Sequence, residues 1–213
     1  YYAGLAVSTN ALAAALMAPI WGSLADRYGR KPMMVRAAFA MIFTMGGMAF
    51  VPNVFWLLVL RVLNGVFTGY IPNATALIAS QVPKDKTGYA LGTLSTGAVA
   101  GNLIGPTLGG VLAEMFGVHT VFLLVGLLYA IVVILTVFYI REDFVPIKKS
   151  DALPVKEVFA QVKDRKILAG LFVTSMVIIA AAQAVVPILT LYVRHLGQTD
   201  NLLFVAGFII SLP

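Results

Sequence analysis

The sequence predicts an all-α integral membrane protein. Three observations carry that prediction. First, 60% of the 213 residues are hydrophobic and 11% are charged, with a mean hydropathy of +0.93; soluble domains carry about 25% charged residues. Second, the chain divides into apolar runs of about twenty residues, the length a helix needs to cross a bilayer, separated by short charged segments. Third, one run places Gly97, Gly101, Gly105 and Gly109 at a four-residue spacing, which on a helix is one stripe on one face. In water that helix would be a poor choice, at about 1 kcal/mol per interior Gly and about 3 for Pro106. In a membrane, small residues let helices approach closely, and neighbours satisfy the backbone groups that a proline frees.

The elements follow in order. The first run, about Ala3 to Leu24, holds no charge; Asn10 and Pro19 within it read as packing and kink residues. Gly22 to Lys31, GSLADRYGRK, carries Asp26, Arg27, Arg30 and Lys31 and reads as a tight surface loop, with Gly29 freeing the turn. Pro32 suits the first turn of the second helix, about Pro32 to Phe50. Val51 to Asn53 is a short turn. The third run, about Val54 to Ser80, is expected as one helix and contains Arg61, read as the one charge well inside a span. An Arg at the bilayer centre costs at least about 2.5–3.5 kcal/mol, so Arg61 is expected to face the bundle interior or a watery cavity. Asn64 lies on nearly the same face and Phe67 further round. Asn73-Ala74-Thr75 fits the glycosylation pattern but falls inside this run and is discounted.

Gln81 to Gly88 is a charged loop. The glycine helix, about Tyr89 to Glu114, is expected to pack tightly against a partner and bend near Pro106. After a turn at Phe116 to Val118, with His119 read as an interfacial residue, the fifth run covers about Thr120 to Ile140. Arg141 to Lys166 is a long polar segment; within it Val155, Val158, Phe159 and Val162 follow helical spacing and predict a short amphipathic helix on the membrane surface. A sixth run, about Ile167 to Val193, includes Gln183 and Pro187, and a seventh starts at Leu202. The chain starts and stops inside hydrophobic runs and shows no signal peptide, so it reads as an internal fragment of a longer one.

Thirteen of the fifteen Lys and Arg fall on the segments after the first, third and fifth runs, counting Arg36 with the first turn of the second helix. That asymmetry makes this side cytoplasmic. Cysteine is absent and His119 and His195 are the only histidines, which argues against disulfides, thiol chemistry and a metal site. A membrane enzyme would need clustered His, Asp or Glu near the surface; no catalytic residue is expected. The basic residues are spread over membrane-facing loops, so nucleic acid is not an expected partner.

Three motifs identify the chain as resembling the major facilitator superfamily. The order Gly22, Asp26-Arg27, Gly29-Arg30-Lys31 resembles the family's loop between its second and third helices at nearly every position. Gly92, Gly101, Gly105-Pro106 and Gly109-Gly110 resemble its fifth-helix antiporter motif, and LVLRVLNGVFTG around Arg61 resembles its fourth-helix motif. The run from Ile71 to Gly97 is similar to the MdtG-like multidrug efflux branch of the drug:proton antiporters. The resemblance implies a twelve-helix fold in two six-helix halves. Residues 1–141 would be the N-terminal half without its first helix, 142–166 a central cytoplasmic linker, and 167–213 the start of the C-terminal half.

It further implies proton-coupled export of drugs or amphipathic compounds by alternating access, in a multi-pass protein of the cell membrane acting as a monomer, with a role in antibiotic resistance. The proton gradient is the energy source and no cofactor is needed. Asp26, Arg27, Arg30 and Lys31 would form a conformational latch, Arg61 would tune proton coupling, and the glycine-proline helix would seal the seam. Asn64, Phe67 and Gln183 are candidate cavity-lining residues. Asp26 is at the surface and Glu114 at the outer end of the glycine helix, so no carboxylate lies within a span and a titrating acid is expected outside this chain. The alternative is an exporter of one metabolite or sugar in the same superfamily.

Overall fold

A computed structural model describes residues 2–144, 165–195 and 202–211. The expected surface helix around Val155 to Val162 lies outside them. The described residues form eight helices and no strand: α1 (Tyr2–Tyr28), α2 (Arg30–Met48), α3 (Val54–Phe67), α4 (Tyr70–Gln81), α5 (Lys84–Phe116), α6 (Val118–Tyr139), α7 (Arg165–His195) and α8 (Leu202–Ser211). Among the described residues, four stretches are long and apolar enough to cross a membrane: 4–28, 54–81, 84–116 and 118–139. Large apolar side chains such as Leu16, Leu127 and Phe138 stand exposed on α1 and α6, as a helix surface facing lipid requires.

The core is built on α2, which packs against α6, α4, α3 and α1. Met34, Met41 and Met48 recur every seven residues, with Ala37, Ala38 and Thr44 between them, and all are buried. These positions make one wide stripe at helical period. The crossing with α6 is close because it is glycine on glycine. A Cβ on Gly126 would lie 3.2 Å from the Gly46 nitrogen and 3.3 Å from the Ile42 carbonyl oxygen. At the far end of this pair, His119 Nδ1 meets the Ala49 carbonyl, tying the start of α6 to the end of α2.

Besides the charged loop expected from Gln81 to Gly88, which is helical from Lys84 on as the first turn of α5, three expectations change. The expected loop from Gly22 is helical as far as Tyr28, leaving Gly29 as the one non-helical residue before α2. The boundary is set by Gly29 at φ 99°, a conformation that L side chains avoid. Arg36 is the second change. It is not a loop charge in the first turn but sits six residues into α2, about 9 Å along the helix, with its side chain turned into the bundle.

The third change concerns the run from Val54, which is one span in two helices. Thr68 is extended at φ −61°, ψ 170°, and Gly69 takes φ 127°. The cause lies at Pro72, which has no N–H for the Thr68 carbonyl four residues back and whose ring crowds it. Gly69 supplies the backbone freedom to turn away. Asn73, buried, then restarts the helix by donating from Nδ2 to the Gly69 carbonyl at 2.7 Å.

Candidate functional site

The motif residues around Gly29 are organised by a residue the sequence did not single out. Glu142 follows α6 and grips the start of α2 with both carboxylate oxygens. The Arg30 backbone N–H donates to Oε1 at 2.6 Å and the Lys31 N–H to Oε2 at 2.7 Å. Free N–H groups and the positive end of the helix dipole make this a strong place for an anion. A Cβ on Gly29 would stand 2.8 Å from Glu142 Oε2, so Gly29 is required twice, by its φ and by the carboxylate. Arg30 pairs with Asp26 one turn back on α1, and Lys31 Nζ donates to the Val137 carbonyl at 2.9 Å.

At the end of α4, the Gln81 amide, oriented to satisfy both its ends, donates to the Arg141 carbonyl at 3.2 Å and accepts from the Asp143 N–H at 2.7 Å. A cavity of about 270 Å³ lies among Asp26, Arg30, Gln81 and Glu142. Arg27 is exposed in the last turn of α1, and Gly22 sits inside α1 with open space around it. The one signal for Glu142 was an acid pair directly after a long apolar run on an otherwise basic side.

Arg61 lies on α3, beyond the break at Thr68–Gly69 from that latch. It is partly buried, and its Nε is buried with no hydrogen-bond partner among the described residues. Its own carbonyl accepts from Asn10 Nδ2 at 3.0 Å. The same amide donates to Asn64 Oδ1 at 2.9 Å, and Asn64 Nδ2 donates to Thr44 Oγ1 at 3.2 Å and to Met41 Sδ at 2.9 Å. Asn64 is 6% exposed. It is a three-helix tie, with its hydrogen-bonding groups engaged between α1, α2 and α3. Beside it Gly65 lets α1 and α3 touch: a Cβ there would collide with the Asn10 carbonyl oxygen. Phe67 is half-buried against the Trp21 ring, at 6.2 Å between centroids. Gln183 falls within α7; its side chain lies outside the described residues.

The break itself is held from the side. Trp21 Nε1 donates to the Val66 carbonyl at 2.6 Å. Arg36 Nη2 donates to the carbonyls of Phe67 and Thr68 at 3.4 and 3.3 Å, and the guanidinium lies 3.4 Å over the Trp21 ring. These two side chains, from α1 and α2, reach three successive carbonyls of the interrupted span.

The glycine helix α5 stays continuous through Pro106. Its tight contact is with α8, where a Cβ on Gly207 would collide with the Pro106 carbonyl oxygen and come within 3.5 Å of Gly110 Cα. Among the described residues, a Cβ on Gly92, Gly97, Gly101, Gly105 or Gly109 would meet nothing within 4 Å. The close approach thus runs through Pro106, Gly110 and Gly207, to one side of the stripe.

Comparison with known proteins agrees with this arrangement. A model of the Major Facilitator Superfamily matches residues 2–213. The chain is 63% identical over 211 residues to the multi-drug resistance efflux pump PmrA of Streptococcus pneumoniae serotype 4, covering 99% of this chain and 53% of that protein. It is 56% identical to a PmrA homolog of Lactococcus lactis over 99% of this chain and 52% of the relative. With the multidrug resistance protein MdtG of a Rahnella species it shares 48% identity over 213 residues, all of this chain and 52% of that one. The chain spans about half the length of these curated relatives. It belongs to the major facilitator superfamily.

Proposed function

We propose that the chain is part of a proton-coupled exporter of drugs and amphipathic compounds that works by alternating access. The observation that carries this reading is the 63% identity, over nearly the whole chain, to a protein named as a multidrug efflux pump. The geometry supports it in two places. The Glu142–Arg30–Asp26 cluster is a charged contact at the basic end of the bundle, suited to be made and broken as two halves rock. Arg61 is a cation in a span whose Nε has no partner among the described residues, suited to bias a nearby proton site. A guanidinium stays protonated and cannot carry the proton itself, so the titrating acid belongs to another part of the transporter. Asp26, Arg27, Arg30 and Lys31 act as the latch, the protein is a monomer in the cell membrane, and no cofactor takes part.

The test is ethidium efflux from cells carrying the full-length protein, with and without a protonophore, beside Arg61→Ala. Proton-coupled export predicts that the protonophore stops efflux and that Arg61→Ala lowers it at least about tenfold, a barrier change of about 1.4 kcal/mol. Efflux that ignores the protonophore removes the proton from the account. No efflux of any cationic or neutral dye moves the reading to the export of a single metabolite or sugar.

A further inference from the structure

The span 54–81 is broken inside the membrane, and what holds the break open has no part in the latch or at Arg61. Three carbonyls, of Val66, Phe67 and Thr68, point to donors on other helices. Each would be expensive to leave bare in lipid. Trp21 and Arg36 supply those donors and stack on each other. Arg36 does so at a cost: its Nε and Nη1 are buried with no hydrogen-bond partner among the described residues. A cation with no counter-charge among the described residues, aimed at backbone carbonyls, is there for the turn it holds.

The two sides of the break are fastened differently. Above it, α3 is tied to α1 and α2 through Asn10, Asn64 and the Gly65 contact. Below it, α4 ends at Gln81, whose amide bridges Arg141 and Asp143 on either side of Glu142. From Gly69 to Gln81 is about 18 Å of helix, so a 10° change of angle at the break moves Gln81 by about 3 Å. That exceeds what a hydrogen bond tolerates.

We propose that Trp21 and Arg36 form a clamp on the unwound turn that fixes the angle between α3 and α4, and so couples the Arg61 segment to the Glu142 latch. Both are positioning residues. The coupling rests on the transporter reading; the clamp itself does not.

The test is hydrogen–deuterium exchange of the full-length protein in lipid nanodiscs, compared with Arg36→Gln and Trp21→Phe, alongside ethidium efflux. Trp21→Phe keeps an aromatic face under Arg36 and removes the N–H together with part of the ring, so it carries the comparison if Arg36→Gln does not accumulate. The expected result is exchange about tenfold faster in residues 66–73, and also at the Arg30 and Lys31 amides that Glu142 holds, together with slower efflux. Arg36→Lys, which keeps the charge but not the planar fork, is expected to fall between. Unchanged exchange at 66–73 overturns the clamp. Faster exchange there with Arg30 and Lys31 unchanged overturns the coupling. If the full-length protein exports no drug, the transporter reading fails, while the exchange data still decide the clamp.

Discussion

Two of the proline-bearing spans, 54–81 and 84–116, answer the same chemical problem in opposite ways. Each loses one helical hydrogen bond, because Pro72 and Pro106 have no N–H for the carbonyl four residues back. The first span opens into two helices at Thr68–Gly69; the second runs on as one helix from Lys84 to Phe116. The difference lies in the neighbours. Around Thr68 stand an indole N–H and a guanidinium, which donate to the freed carbonyls. Against Pro106 stands Gly207, which has no side chain and presses backbone on backbone. A proline weakens a helix at a point, but the helices around it decide whether the weak point opens. The open one is held by hydrogen bonds and charge, and the closed one by shape.

That contrast predicts different sensitivities. The seam should respond to volume and ignore charge. Gly207→Val places a branched side chain where even a Cβ collides with the Pro106 carbonyl. Overpacking of this kind costs about 1–3 kcal/mol and sometimes more. The expected outcome is a clear fall in the melting temperature of the full-length protein in detergent and loss of dye efflux at equal membrane level. Unchanged melting would mean that α8 does not sit on Pro106, and the seam half of the contrast would fall.

The basic end should respond to charge at constant volume. Glu142→Gln keeps the shape but removes the anion that both amides at the start of α2 point to. Charge-assisted hydrogen bonds contribute about 1.5–3 kcal/mol against about 1 for neutral ones, so the loss is expected at about 1–2 kcal/mol. Thermal unfolding of the variant checks the size, and the Arg30 and Lys31 amides should exchange faster. A variant as stable as the parent would show that Glu142 only lies near the helix start without fixing it.

The legibility of this molecule in its sequence follows the same division. The spans were readable because lipid demands long apolar runs. The motif residues Asp26, Gly29 and Arg30 were readable because their order is specific. The break was overlooked although Gly69 and Pro72 stand three residues apart, a pairing that marks a kink; the apolar run around them outweighed it. Arg36 reads as a loop charge because it lies five residues past a basic loop, and only packing reveals that its side chain turns inward. The acid pair at Glu142 stands out in the sequence, but an acid after a span does not name the helix start that it grips, more than a hundred residues earlier in the chain. Asn64 was read by its face on one helix, but its role is set by Asn10 and Thr44 on two others.

The glycine stripe separates periodicity from packing most sharply. Spacing puts Gly97, Gly101 and Gly105 on one face but does not name what that face touches. Among the described residues an added Cβ at each meets open space, while the contact with α8 falls on Pro106 and Gly110. Gly101→Ala should therefore be nearly silent in the packing of α5 on α8. It should add up to about 1 kcal/mol of helix propensity, reduced by whatever the membrane already supplies through its lack of competing hydrogen bonds. The melting temperature of Gly101→Ala is expected to equal or slightly exceed that of the parent, with efflux retained. A fall comparable to Gly207→Val would mean that a second surface closes on the stripe during transport, and that the seam is wider than the α5–α8 contact.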